Sequence, residues 1–297
     1  MINISIPDYY GNIEIIMCFL ELQKTAPDMF FENRKLDSAY GMPPGLIWNG
    51  GRLSVGTSNS QKKYYIYDTY KTFHPDFKIR HTCTNMFLTN EMFLDTACNS
   101  WIKYTEDEKN SIIVNNEELK AYLEKTYPKY NYVISVTKNL NNLELYNKYS
   151  KSYLTVVNYN YNVNDNFLSK LKHPENIELI CAEPCIPNCP GRKAHWERIS
   201  KAQLGYPGCG DTSCTQIEKS DFLNFYTNIL NREHSITNER MNELYEKYGI
   251  CNFKLSGRGY SPYLFIELLL YYLIKPEYRD SLRQNLLQMA YHTEEYR

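Results

Sequence analysis

The chain reads as an α/β protein of the (β/α)8, TIM-type barrel class, and three observations predict it. Short apolar runs rich in β-branched and aromatic residues alternate with segments of helical period, the pattern of parallel βα units. Eight such runs can be picked out, the number a closed barrel requires. Across 297 residues no repeat, low-complexity tail or Gly/Ser linker divides the chain. A single barrel domain over 1–297 with long loops is therefore expected, its amino-terminal half, 1–130, divergent and distorted or incomplete.

In chain order the strands are expected at Ile2 to Ile6, Met29 to Glu32, Phe77 to Thr82, Ser111 to Val114, Tyr132 to Val136, Tyr153 to Val157, Ile177 to Cys181 and Cys251 to Leu255. Helical period falls between them at Asn12 to Lys24, Asn116 to Lys125, Asn141 to Tyr149, Val163 to Leu171, Lys193 to Gln203, Asn238 to Tyr248 and Pro262 to Ile274. Asn116 stands before Glu117 and Glu118 as an amino-terminal cap, its following carboxylates suited to that end of a helix. Gly249 after Tyr248 is a carboxy-terminal stop. Residues 39–71, with Pro43-Pro44-Gly45 and Asn49-Gly50-Gly51, fit no βα unit and read as a long loop or added hairpin, a candidate lid.

Composition removes several function classes. A formal net charge of −1 provides no strong field toward nucleic acid or anionic membrane. The start, Met1-Ile-Asn-Ile-Ser-Ile-Pro-Asp, lacks the basic and apolar regions of a secretory signal, and the longest apolar stretch, Tyr263 to Ile274, contains Glu267 and is too short for a membrane span. A soluble, cytoplasmic protein is expected. The twenty-eight tyrosines read as compositional bias rather than as a stacking surface for bases.

Nine cysteines is an odd number, and in a reducing compartment a cluster reads as metal-binding rather than as a disulfide framework. Five gather in the carboxy-terminal third: Cys181, Cys185, Cys189, Cys209 and Cys214. Pro184-Cys185-Ile186-Pro187-Asn188-Cys189-Pro190 is too rich in proline to continue a helix or strand, and such a rigid turn can present both thiols to one centre. Gly208-Cys209-Gly210 and Cys214 supply a second turn-rich arm. Four thiolates on two arms suit zinc or an iron–sulfur cluster, and spacing alone leaves that choice open. The Cys181-x3-Cys185-x3-Cys189 spacing is superficially that of radical adenosylmethionine enzymes, but both the spacing and the late position depart from theirs.

From residue 131 onward the order of features is specific. The strand residues Val156-Val157 are followed by Val163-Asn-Asp-Asn-Phe-Leu, then Asn176-Ile-Glu-Leu-Ile180 running to Cys185 and Cys189, then Gly249-Ile-Cys-Asn-Phe-Lys-Leu-Ser-Gly-Arg258 with Ser261-Pro262. In this the chain resembles the collagenase-like, or U32, peptidase family, most strongly over 131–275. Relatives of that kind are mostly oxygen-independent hydroxylases of RNA or a quinone precursor, with a [4Fe–4S] cluster on four cysteines. The resemblance implies a cluster on Cys185, Cys189, Cys209 and Cys214, with Cys181 as a reserve ligand, and a redox enzyme of hydroxylase type served by an electron donor or protein partner, acting on RNA or a small aromatic or metabolite substrate. Ser256 stands where the family has an acidic residue, and Ala182-Glu183 where it has His-Gly. The rival reading is a non-catalytic barrel stapled by Zn2+ that binds a partner.

Three further residues are candidates for catalysis. Arg258, between Gly257 and Gly259 at the end of the last strand, lies where barrel active sites are built and could pair bidentately with an acidic group. Lys254 should point into the barrel if Leu255 packs outward, and there an amine needs an acidic partner. His195, with Arg192, falls on the first turn of a helix beside the cysteines and could move protons. Asn49-Gly50-Gly51-Arg52 has the look of an anion-cradling turn, and Asn33 and Asn90 stand as strand-end contacts. No HExxH, GxSxG or Gly-rich nucleotide fingerprint appears, so proteolysis has no nucleophile behind it.

Overall fold

The computed structural model describes residues 1–57, 60–210 and 222–295, with the side chains of 222–225 and 289–295 left aside. Eight parallel strands follow one another around a closed barrel: β1 (Ile2–Pro7), β2 (Arg34–Gly41), β3 (Lys78–Cys83), β4 (Ser111–Val114), β5 (Asn131–Ile134), β6 (Leu154–Val156), β7 (Ile177–Cys181) and β8 (Asn252–Leu255), which pairs back onto β1. The amino-terminal half is as complete as the other. Around the strands lie α1 (Ile13–Thr25), α2 (Lys62–Phe73), α3 (Thr96–Tyr104), α4 (Glu117–Thr126), α5 (Leu143–Ser150), α6 (Asp165–Leu168), α7 (Arg192–Gln203), α8 (Phe222–Leu230), α9 (Asn238–Tyr248), α10 (Pro262–Leu273) and α11 (Pro276–Glu295). No described helix is long and apolar enough to cross a membrane.

Strand alternation sorts the barrel into two cores. Ile2, Ile4 and Ile6 of β1 and Phe253 and Leu255 of β8 face the helices and join one large buried cluster. Tyr40, Ile113, Val133, Val156 and Ile180 turn inward and form a separate cluster inside the barrel, with Tyr159 above them. The interior also carries charge. Arg80 of β3 reaches Glu178 of β7 at 2.5 Å and Asp37 of β2 at 3.6 Å, and Asp37 is in turn bound by Lys35 and Lys78. Asp37, Arg80 and Glu178 each therefore have a counter-charge, which is the condition for tolerating them there.

Three sequence expectations are corrected here. The second strand is Arg34–Gly41, not Met29 to Glu32; the latter run begins in a 3-10 turn at Pro27–Met29 and then forms an isolated antiparallel bridge from Phe30 to Ile274. The segment 39–71 is not loop throughout: it opens with the end of β2 and closes with most of α2. The Asn116 cap is in place, accepting from the N–H groups of Glu118 and Leu119, and Gly249 ends α9 at φ +72°. The short α6 replaces the longer helix expected over Val163 to Leu171.

Candidate active site

The carboxyl ends of the strands open on a cavity of about 120 Å³ walled by Tyr40, Arg52, Thr82, Cys185, Lys254 and Arg258, among others. This is the face on which barrel enzymes build their sites, because loops from every βα unit converge there. A second opening of about 380 Å³ shares Arg52 and Arg258 and adds Asp8, Asn49 and Tyr260.

Lys254 projects inward, as expected from the outward packing of Leu255. It pairs in register with Ile180, one inward layer above Glu178, which pairs with Asn252. The expected acidic partner is not in contact with it. Glu178 is taken by Arg80, and the Lys254 ammonium instead lies 3.8 Å from the centre of the Tyr40 ring. Burial pushes its pKa down to about 7; the Glu178 carboxylate opposes that shift, while Arg80 and Arg258 reinforce it. An amine in that state is substantially neutral near pH 7 and available as a base or nucleophile.

Arg258 also turns into the mouth, but much of its fork is used by the chain itself. Nη1 donates to Asn49 Oδ1 at 3.0 Å and to Thr82 Oγ1 at 3.1 Å, and Nη2 donates to the Gly50 carbonyl at 2.8 Å. Thr82 Oγ1 donates to the same Asn49 oxygen at 2.7 Å, so Arg258 clamps the Asn49–Gly51 turn onto β3. Glu243, the outer carboxylate that could have claimed it, pairs with Arg240 and Lys247. Burial lowers the Arg258 pKa to about 10, which still leaves it charged at neutral pH. The turn it fixes presents Arg52, whose guanidinium lines both openings and forms no hydrogen bond or ion pair with any described residue.

The opposite wall is built by the loop after β7. Ala182 takes a left-handed conformation at φ +52°, which redirects the chain at the end of the strand. Glu183 then lies buried with Arg192 at 3.6 Å, accepting from the Cys185 N–H and the Ser256 hydroxyl. Burial alone would raise the Glu183 pKa, but Arg192 and Arg52 outweigh it and hold the carboxyl below its usual range. Arg192, at the start of α7, stacks over Tyr159 at 4.1 Å and Trp196 at 4.6 Å. His234 also packs against Tyr159 with ring centroids 4.6 Å apart, and burial lowers its pKa. His195 lines the cavity from the first turn of α7.

The cysteines separate by environment. Cys185 lies on the cavity wall against the inner cluster. Burial raises its pKa despite Arg192 and a hydrogen bond with Tyr159, and the nearby Cys189 thiolate charge pushes the same way. Cys189 and Cys209 are partly exposed, and Cys214 lies outside the described residues. Cys181, the expected reserve ligand, packs in the outer cluster, where burial raises its pKa and Arg34 and Glu178 are the charges that act on it. Among the described residues no three His, Cys, Asp or Glu side chains gather as metal ligands. Cys185 feels the charges of Cys189 and Arg192, and among the described residues no third potential ligand joins the two cysteines.

Sequence reasoning missed Tyr40, Glu183 and Tyr159. Tyr40 fell in the span read as loop, and Glu183 was noted only as a departure from a family pattern. Its position directly after a strand that ends in the apolar run Leu179-Ile180-Cys181-Ala182 was the available signal. Asn33 lies at the opposite, amino-terminal end of the barrel, donating to Asn242, and Asn90 is exposed at the start of a 3-10 turn, so neither lines the mouth. Comparison with known proteins finds no matching family model, and no curated protein or solved structure that matches the chain.

Proposed function

We propose that this barrel is an iron–sulfur redox enzyme of hydroxylase type that binds a small anionic substrate in the mouth cavity. The observation that carries the reading is that Cys185 shares one cavity wall system with Lys254, Arg52 and Arg258. A centre held by Cys185, Cys189, Cys209 and Cys214 would border the substrate space, and when bound it would supply one-electron chemistry. The resemblance of residues 131–275 to the U32 family supports the same donor set. The chain's own residues would do the rest. Arg52 offers positive charge to an acidic group, Lys254 offers a base near neutral pH, and the buried Glu183–Arg192 pair holds the cysteine loop against the barrel. A cavity of about 120 Å³ favours a small molecule over an RNA helix.

Anaerobic purification with iron, sulfide and zinc analysis tests this. The expected result is a brown protein containing iron and sulfide, with serine at Cys185 or Cys189 abolishing assembly and serine at Cys83 or Cys98, both buried in the outer core, leaving it intact. One equivalent of zinc without iron after reconstitution would overturn the redox reading in favour of a stapled binding barrel. Reductive cleavage of adenosylmethionine would instead assign the iron to radical chemistry.

A further inference from the structure

We infer that Lys254 forms an imine with the carbonyl carbon of a small oxo acid whose carboxylate is held by Arg52. The inference rests on the mouth cavity being the substrate site, and deepens that reading by naming a substrate class; it does not depend on iron.

The argument is one of placement. Lys254 is the inward residue of the last strand level, its amine opens on the cavity, and no described group forms an ion pair or hydrogen bond with it. The groups that face it are the Tyr40 ring from β2, Arg80 from β3, Glu178 from β7 and Arg258 from the loop after β8. Burial disfavours the charged amine, and Arg80 and Arg258 add to that; Glu178 acts the other way but is itself bound to Arg80, and the uncharged form is favoured. Imine formation needs that form: the nitrogen lone pair attacks the carbonyl, the carbinolamine loses its oxygen as water, and no oxidant or reductant enters the balance.

Arg52 is the second half of the argument. It lines the same cavity from the turn that Arg258 pins, and no described residue occupies its fork, which matches a carboxylate in geometry and charge. A cavity of about 120 Å³ suits an acid as small as pyruvate, and the second opening that shares Arg52 leaves room for a longer one.

The test is borohydride trapping with pyruvate on the full-length chain, followed by peptide mass mapping. A single reduced pyruvate adduct on Lys254, with exposed lysines such as Lys193 unlabelled at the same concentration, is the expected result. The labelling rate should rise through about pH 7 rather than near the ordinary lysine range. Lys254→Arg should abolish the adduct while keeping the charge. Arg52→Gln should raise the pyruvate concentration for half-labelling by about tenfold or more and leave labelling by acetone, which has no carboxylate, unchanged. Absence of an adduct on Lys254 in the folded wild type, or labelling spread evenly over surface lysines, would overturn the imine. An unchanged half-labelling concentration in Arg52→Gln would overturn the carboxylate assignment. The wild-type map decides the first point even if a variant fails to fold, and metal analysis succeeds or fails separately from trapping.

Discussion

Lys254 holds a cation's side chain where a cation is poorly solvated, and that has a cost with a definite pH dependence. The unfolded chain binds the proton up to about pH 10.4, the folded one only to about 7. Between those values the unfolded state carries more protons, so the contribution to stability rises with pH; below about 7 both states are protonated and the full cost of burying the ammonium is present. Lys254→Met removes the group. Its stability advantage over wild type should therefore be largest at pH 6 to 7 and shrink by about 1 to 2.5 kcal/mol by pH 9, as read by urea unfolding of both proteins. A gap that stays constant with pH would show that the amine is not desolvated. At this scale the sequence was partly legible. Alternation with Leu255 told which way Lys254 points, whereas the loss of its acidic partner could not be read, because Arg80 claims Glu178 from 98 residues away.

The turn from Asn49 to Gly51 is the element that joins the loop after β2 to the active face. Gly50 is there for space: a Cβ at that position would lie 2.2 Å from the Thr84 carbonyl oxygen, and backbone cannot yield as a flexible side chain would. Gly51 is there for conformation, at φ +73° with the Arg258 guanidinium against it. Gly50→Ala should cost about 1 to 3 kcal/mol and loosen Arg258, whose acceptor is the Gly50 carbonyl. Thermal unfolding would register it, and an unshifted midpoint would mean that the turn is not held against β3. Why β2 was misplaced is plain in the same region. Arg34-Lys-Leu-Asp-Ser-Ala-Tyr-Gly41 sends charged and polar side chains into the interior ion cluster, so it lacks the apolar signature that Met29-Phe-Phe displays without being a strand. α2 and α3 escaped for a related reason. Their buried faces are largely aromatic and polar, with Lys63, Tyr67 and Tyr70 in one and Cys98 and Trp101 in the other. Elements marked by local chemistry, such as the Asn116 cap and the Gly249 stop, were legible because one residue suffices to specify them.

Across the whole barrel, strand count and parallel order followed from the alternation of runs, but the contents of the interior did not. Charge bridging β2, β3 and β7 depends on register among strands far apart in sequence. Glu178→Ala should cost about 3 to 5 kcal/mol, because Arg80 would be left buried without its closest counter-charge. Denaturant unfolding measures this, and a loss under about 1 kcal/mol would show that water reaches the interior. Closure of the ring has a different consequence, one of timing. β8 is the strand that joins β7 to β1, and it is also the strand that carries Lys254. A nascent chain that has not yet emerged past Leu255 has two unpaired sheet edges, at β1 and β7, and no lysine between them. Such open edges are where growing chains meet one another or a chaperone. Synthesis therefore cannot yield a closed barrel that lacks this amine: the strand that seals the ring is the one that brings Lys254 into it.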